Sequence, residues 1–242
     1  MNNSNGMPEY FGRDLEAMSF AVNYHRWIIE EFRPYLGASV AEVGAGTGNF
    51  TQMLLEHTEK LDCFEPSENM FPKLVETVGN NRKVNTHQSY FGDAQDEQPK
   101  RYDSVIYVNV LEHVEDDEAE LRIIQDALSP GGYALIFVPA LAWLFSDLDK
   151  QLGHYRRYHK KPLSRLVRDA GLELVTIKYF DFAGILPWYV AFVLLGKSIS
   201  GGNVSAYDRL VVPTMRRLEN IIEAPIGKNL LLVAKKPERH VI

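Results

Sequence analysis

The 242 residues contain a single cysteine, Cys63. That excludes an internal disulfide and a cysteine-built metal cluster, and with them the small stapled scaffolds of secreted proteins. An excess of positive charge is also missing. Against 32 Asp and Glu stand 26 Lys and Arg, a formal net charge of -6, so no broad basic surface is available and nucleic acid is disfavoured as a partner. No apolar run reaches the roughly 18 residues that cross a bilayer. The longest, Phe182 to Gly196, is interrupted by Pro187. The start, Met1-Asn2-Asn3-Ser4-Asn5-Gly6, lacks the charged lead and apolar core of a secretory signal. The expectation is a cytoplasmic protein that is not transmembrane. What the chain does have is core material: 45% of its residues are hydrophobic, ample for one α/β domain with insertions. We expect a flexible lead over residues 1–13 and a single domain over 14–242.

The stretch that organises the rest is Val40-Ala41-Glu42-Val43-Gly44-Ala45-Gly46-Thr47-Gly48-Asn49-Phe50-Thr51. It reads as the end of a buried strand, a glycine turn and the opening of a helix, which together form a nucleotide cradle. A dinucleotide fingerprint wants a small residue at the sixth position of Gly-x-Gly-x-x-Gly. Asn49 stands there instead. A turn serving only to connect strand and helix is the plainer alternative. The spacing Gly44-x-Gly46-x-Gly48 with Glu42 two residues ahead resembles motif I of the class I S-adenosylmethionine (SAM) methyltransferases. An acid suits a sulfonium cofactor that also carries an amino group.

Further along, Leu15 to Tyr35 has helical spacing, with Phe20, Tyr24, Trp27, Ile28 and Phe32 on one stripe and a stop at Pro34 and Gly37. Most of that stripe is expected in the core; Tyr24 and Arg26, polar at their tips, could close over the methionine half of the cofactor. A second strand, Leu61-Asp62-Cys63-Phe64, ends in Glu65. At the carboxyl end of a strand, that acid is placed to accept the ribose hydroxyls of a nucleoside; the alternative is a local cap on the helix that Pro66, Ser67 and Glu68 begin. A helix to Val78, a short strand near Val84 to His87 and the turn Phe91-Gly92-Asp93-Ala94 follow. A fourth strand, Tyr102 to Val110, leads into Leu111-Glu112-His113-Val114. The acid-rich segment Glu115 to Leu128 is a helix, closed by Ser129-Pro130-Gly131-Gly132, and Tyr133 to Val138 is the fifth strand. The run Asn-Val-Leu-Glu-His-Val, then Leu-Ser-Pro-Gly-Gly and an apolar strand, is similar to the small-molecule branch of the methyltransferase family, the type 11/12-like group.

The resemblance implies a Rossmann-like seven-stranded sheet in the order 3-2-1-4-5-7-6, with an N-terminal helix and helical insertions after strands 5 and 6, over about 139–160 and 181–224. It implies SAM as cofactor, with S-adenosylhomocysteine (SAH) as product. Cofactor contacts carried over are Tyr24, Glu42, Gly44, Ala45, Gly46, Gly48, Glu65, Pro66, Asp93, Ala94, Asn109 and Val110, with Asp93 and Ala94 on the adenine. His113, just past the fourth strand, is the candidate base; its plainer role is a hydrogen-bonded residue shaping the pocket. A related branch carries Glu-x-x-Glu-His and binds a divalent metal. This chain has Asn109 in place of the first Glu, so no metal is expected.

Glu112 and the cluster His154-Tyr155-Arg156-Arg157-Tyr158 are the candidate substrate residues. Two guanidinium groups suit phosphate or carboxylate; alternatively they pair with Asp147, Asp149 or Glu112 to pin the loop. The apolar connection with Ile185, Leu186, Trp188, Tyr189, Phe192, Val193 and Leu195, then Met215, Leu218, Ile221 and Ile222, reads as a lid, a homodimer face or a peripheral membrane contact, with core packing or dimerisation preferred. The expected activity is methyl transfer to oxygen or nitrogen of a small molecule, such as an anionic or lipid-linked sugar or a secondary metabolite. A SAM-binding scaffold without turnover and a dinucleotide oxidoreductase are the alternatives.

Overall fold

The computed structural model describes Tyr10 and residues 21–97, 101–196 and 201–238. The remainder of the expected lead, and Phe20 of the first stripe, lie outside them. Seven strands form one sheet: β1 (Ser39–Val43), β2 (Lys60–Phe64), β3 (Val84–His87), β4 (Tyr102–Val108), β5 (Leu128–Pro139), β6 (Glu173–Phe180) and β7 (Asn229–Lys235). Their order, β3-β2-β1-β4-β5-β7-β6, is the expected one. The first five are parallel, and β7 runs antiparallel between β5 and β6. A parallel sheet is covered on both faces, which is why its strands read as unbroken apolar runs. The two faces still alternate: Val105, Tyr107, Ala134, Ile136 and Val138 pack on one side, and Ile106, Leu135 and Phe137 on the other.

The helix α1 (Val22–Phe32) buries Tyr24, Trp27, Ile28 and Phe32 against the second face. It has no local cap, because Ala21 occupies the N-cap position. Asp208, from the second insertion, supplies one: its carboxylate accepts from the Asn23 N–H at 3.0 Å and the Tyr24 N–H at 2.8 Å. A 3-10 turn at Arg33–Tyr35, containing Pro34, ends the segment.

The helix α2 (Asn49–Leu54) follows the glycine turn, and α3 (Phe71–Val78) follows β2. The stretch read as a turn around Asp93 is instead the helix α4 (Phe91–Glu97). The helix α5 (Asp117–Ala127) is capped by Asp116, whose carboxylate accepts from the Ala119 N–H at 2.9 Å. Strand β5 starts five residues earlier than Tyr133, at Leu128, because Leu128 already pairs with Tyr102.

The first insertion holds a 3-10 turn (Ala142–Leu144) and α6 (Asp147–Leu152), and α7 (Lys160–Asp169) precedes β6. The second holds α8 (Ile185–Trp188), a π-helical turn (Tyr189–Leu194), α9 (Gly201–Leu210) and α10 (Val212–Glu219). Ile185, Trp188 and Tyr189 pack on the core, while Leu186, Val190 and Leu194 at spacing of four face outward. Among the described residues, no helix is long and apolar enough to cross a membrane.

Candidate functional site

The ends of β1, β2, β4 and β5 converge on one cavity of about 530 Å³. Glu42 and Val43 come from β1, Glu65 follows β2, Val108, Asn109 and Val110 come from the end of β4, Pro139 ends β5, and Asn229 opens β7. This is the carboxyl edge of the parallel strands, where open α/β sheets receive their ligands.

The glycine turn forms the cavity's first wall. The Gly44 and Ala45 N–H groups donate to the Phe64 carbonyl at 2.8 and 3.1 Å, which hangs the turn on β2. Gly44 sits at φ +71°, and a Cβ there would come within 2.4 Å of Val110 Cγ2. Both the backbone conformation and the close approach require glycine. Gly48, at φ +83°, lies off the cavity; a Cβ there would press on Leu74 and Thr77 at 3.1 Å, so it serves the packing of α2 on α3.

Glu65 joins the turn to the next wall. One carboxylate oxygen accepts from the Gly46 N–H at 2.8 Å, and the other from the Ser67 N–H at 2.9 Å and the Ser67 hydroxyl. The local cap and the ligand-facing position are therefore compatible, since each oxygen carries two lone pairs and the group lines the cavity. Glu42 is buried, which pushes its carboxyl up to about 8; the nearby Thr51 and Cys63 side chains work against that, and the Glu65 charge adds to it. Tyr24 faces the cavity and donates its hydroxyl to Asn229 Oδ1 at 3.1 Å. Its neighbour His25 also lines the cavity, and burial lowers its pKa to about 4. Arg26 is exposed and away from the cavity.

Ala45, Gly46, Pro66, Asn109 and Val110 line the cavity, and Asp93 and Ala94 do not. Ser89, Tyr90 and Phe91, just ahead of them, take that place, together with Glu120 of α5, which accepts a hydrogen bond from the Tyr107 hydroxyl. The sequence reading passed over these because a helix, rather than a loop, begins at Phe91 and carries Asp93 off the cavity.

Glu112, His113 and His154 also line the cavity. The two imidazoles meet edge to face with centroids 4.6 Å apart. One ligand atom from each of the three residues falls within 4.8 Å of the others, an arrangement that could hold a cation. Asp149 fixes one arm of it: its Oδ1 is 3.0 Å from His154 Nδ1. Asp149 is buried, which alone would raise its pKa, but the His154 hydrogen bond and the Arg157 guanidinium prevail and hold it at about 2. His113 is lowered to about 4, chiefly by burial and then by His154, against a hydrogen bond with the Leu152 backbone that acts in the opposite direction.

Of the expected substrate cluster, only His154 and Arg157 reach the cavity. Arg157 is engaged on every side. It forms a two-point contact with Asp149 at 2.8 and 3.1 Å, donates to the Ala140 carbonyl at 3.3 Å, and lies 4.7 Å from the centre of the Trp188 ring. Arg156 pairs with Asp117 at 2.9 Å and donates to the Glu115 carbonyl at 2.6 Å, outside the cavity. The Tyr158 hydroxyl binds the Leu111 carbonyl and Asp117, and Tyr155 is exposed. The arginines pin the loop, with Asp117 as the partner not foreseen.

Trp188, from the apolar connection read as a lid, dimer face or membrane contact, lines the cavity, as do Lys228 just before β7 and Asn229 at its start, two residues that the sequence did not single out. Lys228 Nζ lies 3.3 Å from Asp181 Oδ2 and 5.3 Å from the Trp188 and Tyr24 rings. For Lys228 and Asn229 the only available cue is position, since an antiparallel last strand must enter the sheet at its ligand-facing edge.

Residues 22–177 match the family model described as a methyltransferase domain. A ubiquinone biosynthesis O-methyltransferase of Xanthomonas euvesicatoria pv. vesicatoria is 30% identical over 173 residues, which cover 63% of this chain and 68% of that protein. One of the same name from Nitrosospira multiformis is 24% identical over 208 residues, 72% of this chain and 87% of its own. Among solved structures, a SAM-dependent methyltransferase from Archaeoglobus fulgidus superposes with a TM-score of 0.62 at 19% identity, over 92% of this chain and 99% of that one. The N-methyltransferase NodS from Bradyrhizobium japonicum in complex with SAH gives 0.58 at 13% identity, over 90% and 88%. At these identities the structural likeness speaks for the fold.

Proposed function

The chain belongs to the methyltransferase-domain family and is a SAM-dependent methyltransferase, and from that premise we propose that it methylates a hydroxyl oxygen of a small molecule, with His113 as the proton acceptor. The cofactor site fits the residues present. Glu42 is a buried carboxyl that a positively charged ligand would return to its ionised form; Gly44, Gly46 and Glu65 leave room and acceptors beside it. Bound there, SAM supplies an electrophilic methyl group. This chain's own part is orientation and proton removal, the two demands of a displacement at a methyl carbon by a hydroxyl.

One observation carries the reading: the turn after β4 presents an imidazole, His113, to the cavity, and burial lowers its pKa to about 4 so that it stays neutral. The relatives' designation as O-methyltransferases supports oxygen over nitrogen. The engagement of both arginines removes the support for an anionic acceptor. We place the activity in the cytoplasm, on a small substrate that enters without a nucleic-acid partner.

A second reading is favoured by the convergence of Glu112, His113 and His154. An imidazole with so low a pKa is a weak base for a phenol near pKa 10. A divalent cation held by these three would lower the acceptor's own pKa, and the Asp149 contact to His154 is the outer support that metal-bound histidines carry. Turnover of a panel of hydroxylated small molecules, catechols among them, distinguishes the readings. His113→Asn should keep SAH affinity within about twofold and lower kcat by 10²-fold or more. If His113 acts alone, EDTA leaves kcat unchanged; if the cation is required, EDTA abolishes turnover and added Mg²⁺ or Zn²⁺ restores it. Full activity of His113→Asn under both conditions would exclude both roles.

A further inference from the structure

The N-terminal segment was expected to be a passive lead, yet Tyr10 sits in the cavity wall. Its backbone is clamped at two points by one side chain: the Tyr10 N–H donates to Asn69 Oδ1 at 3.0 Å, and Asn69 Nδ2 donates back to the Tyr10 carbonyl at 2.8 Å. A primary amide that meets both the donor and the acceptor of one residue fixes its position and its orientation together. The partners are 59 residues apart, so this is a tertiary contact and not a local turn.

Asn69 lies in the turn that follows β2, four residues after Glu65. In that turn the Met70 and Phe71 N–H groups both donate to the Ser67 carbonyl, at 3.3 and 3.0 Å. The clamp is thus tied to the segment carrying Glu65, Pro66 and Ser67 on the cofactor side. The Tyr10 ring meets the His113 ring edge to face with centroids 6.2 Å apart. His113 in turn meets His154, and Asp149 holds His154. One residue thus joins the turn after Glu65 to the His113–His154 pair.

We propose that Tyr10, clamped by Asn69, is a positioning residue that closes the cavity, covering the bound cofactor and packing edge to face on the His113 imidazole. The aromatic ring performs both tasks, by excluding water and by packing on His113. Cofactor exchange then requires the clamp to open, and the residence time of SAH depends on a side chain that sits outside every strand and helix of the fold.

This inference rests on the SAM reading of the cavity, and the test separates the two. The full-length protein and its Tyr10→Ala, Tyr10→Phe and Asn69→Ala variants would be loaded with SAH, and the dissociation rate followed by intrinsic fluorescence after mixing with excess competitor. Tyr10→Ala should release SAH at least tenfold faster. Asn69→Ala should show the faster release. Tyr10→Phe, which keeps the ring, should release SAH more slowly than Tyr10→Ala, and all three should melt within about 2 °C of the wild type. Unchanged release in Tyr10→Ala would overturn the proposal, as would a Tyr10→Phe protein that behaves like Tyr10→Ala. Failure of the wild type to bind SAH at all would instead overturn the cofactor reading beneath it.

Discussion

At the scale of single residues, the site conflicts with stability. Glu42 is an acid in a buried pocket that holds its carboxyl at about 8 against an ordinary 4.5. In the unfolded chain the group ionises near 4.5, whereas the folded protein keeps its proton until pH approaches 8. Unfolding between those values releases a proton, so this group's contribution to stability is fully present below 4.5 and is lost as pH rises to 8. Glu42→Gln removes the linkage. The variant should melt at least about 4 °C higher than the wild type at pH 8, with the difference vanishing near pH 4.5, while binding SAM at least tenfold more weakly. Melting curves across that pH range check the sign; a variant that is less stable at pH 8 would show that Glu42 is ionised and paired in the empty site. The acid ahead of the glycines was legible from the sequence because the motif has fixed spacing. Its protonation was not, since that depends on Thr51, Cys63 and Glu65 meeting around it in space.

At the scale of elements, the strands were the most legible part. Buried parallel strands leave continuous apolar runs such as Leu135-Ile136-Phe137-Val138, and β3 starts and ends at the expected residues. Contacts between distant elements left no such trace. The cap that Asp208 lends to α1 spans 185 residues, and the pairing of Arg157 with Asp149 joins the two ends of a loop whose charges looked free for substrate. Both Arg157 and Asp149 are buried, and removing one strands the other. Arg157→Ala should therefore cost about 3–5 kcal/mol and lower the melting temperature by roughly 10 °C. Arg156, half exposed with a single acidic partner, should cost less than about 1 kcal/mol as Ala. Paired thermal melts of the two variants decide the matter; equal, small shifts would mean that the Arg157 side chain is available to a ligand after all.

At the scale of the whole molecule, a sheet order of 3-2-1-4-5-7-6 gathers the ends of β1, β2, β4 and β5 on one edge, and the insertions fall where that edge needs a wall. The first insertion supplies His154 and the Asp149 hub, and the second supplies Trp188. The motif before α2 and the acid after β2 were legible in advance as parts of one cavity wall. The rest of the wall is assembled from segments as far apart as Tyr10 and Asn229, and no local pattern could have brought those together. The account stands on the claim that this edge binds SAM. Calorimetric titration of the purified protein with SAH, with a nicotinamide dinucleotide as control, tests it most directly. The account predicts micromolar binding of SAH alone, weakened at least tenfold in a folded Glu65→Ala variant; a folded wild-type protein that binds no SAH, or binds it equally well without Glu65, would contradict it.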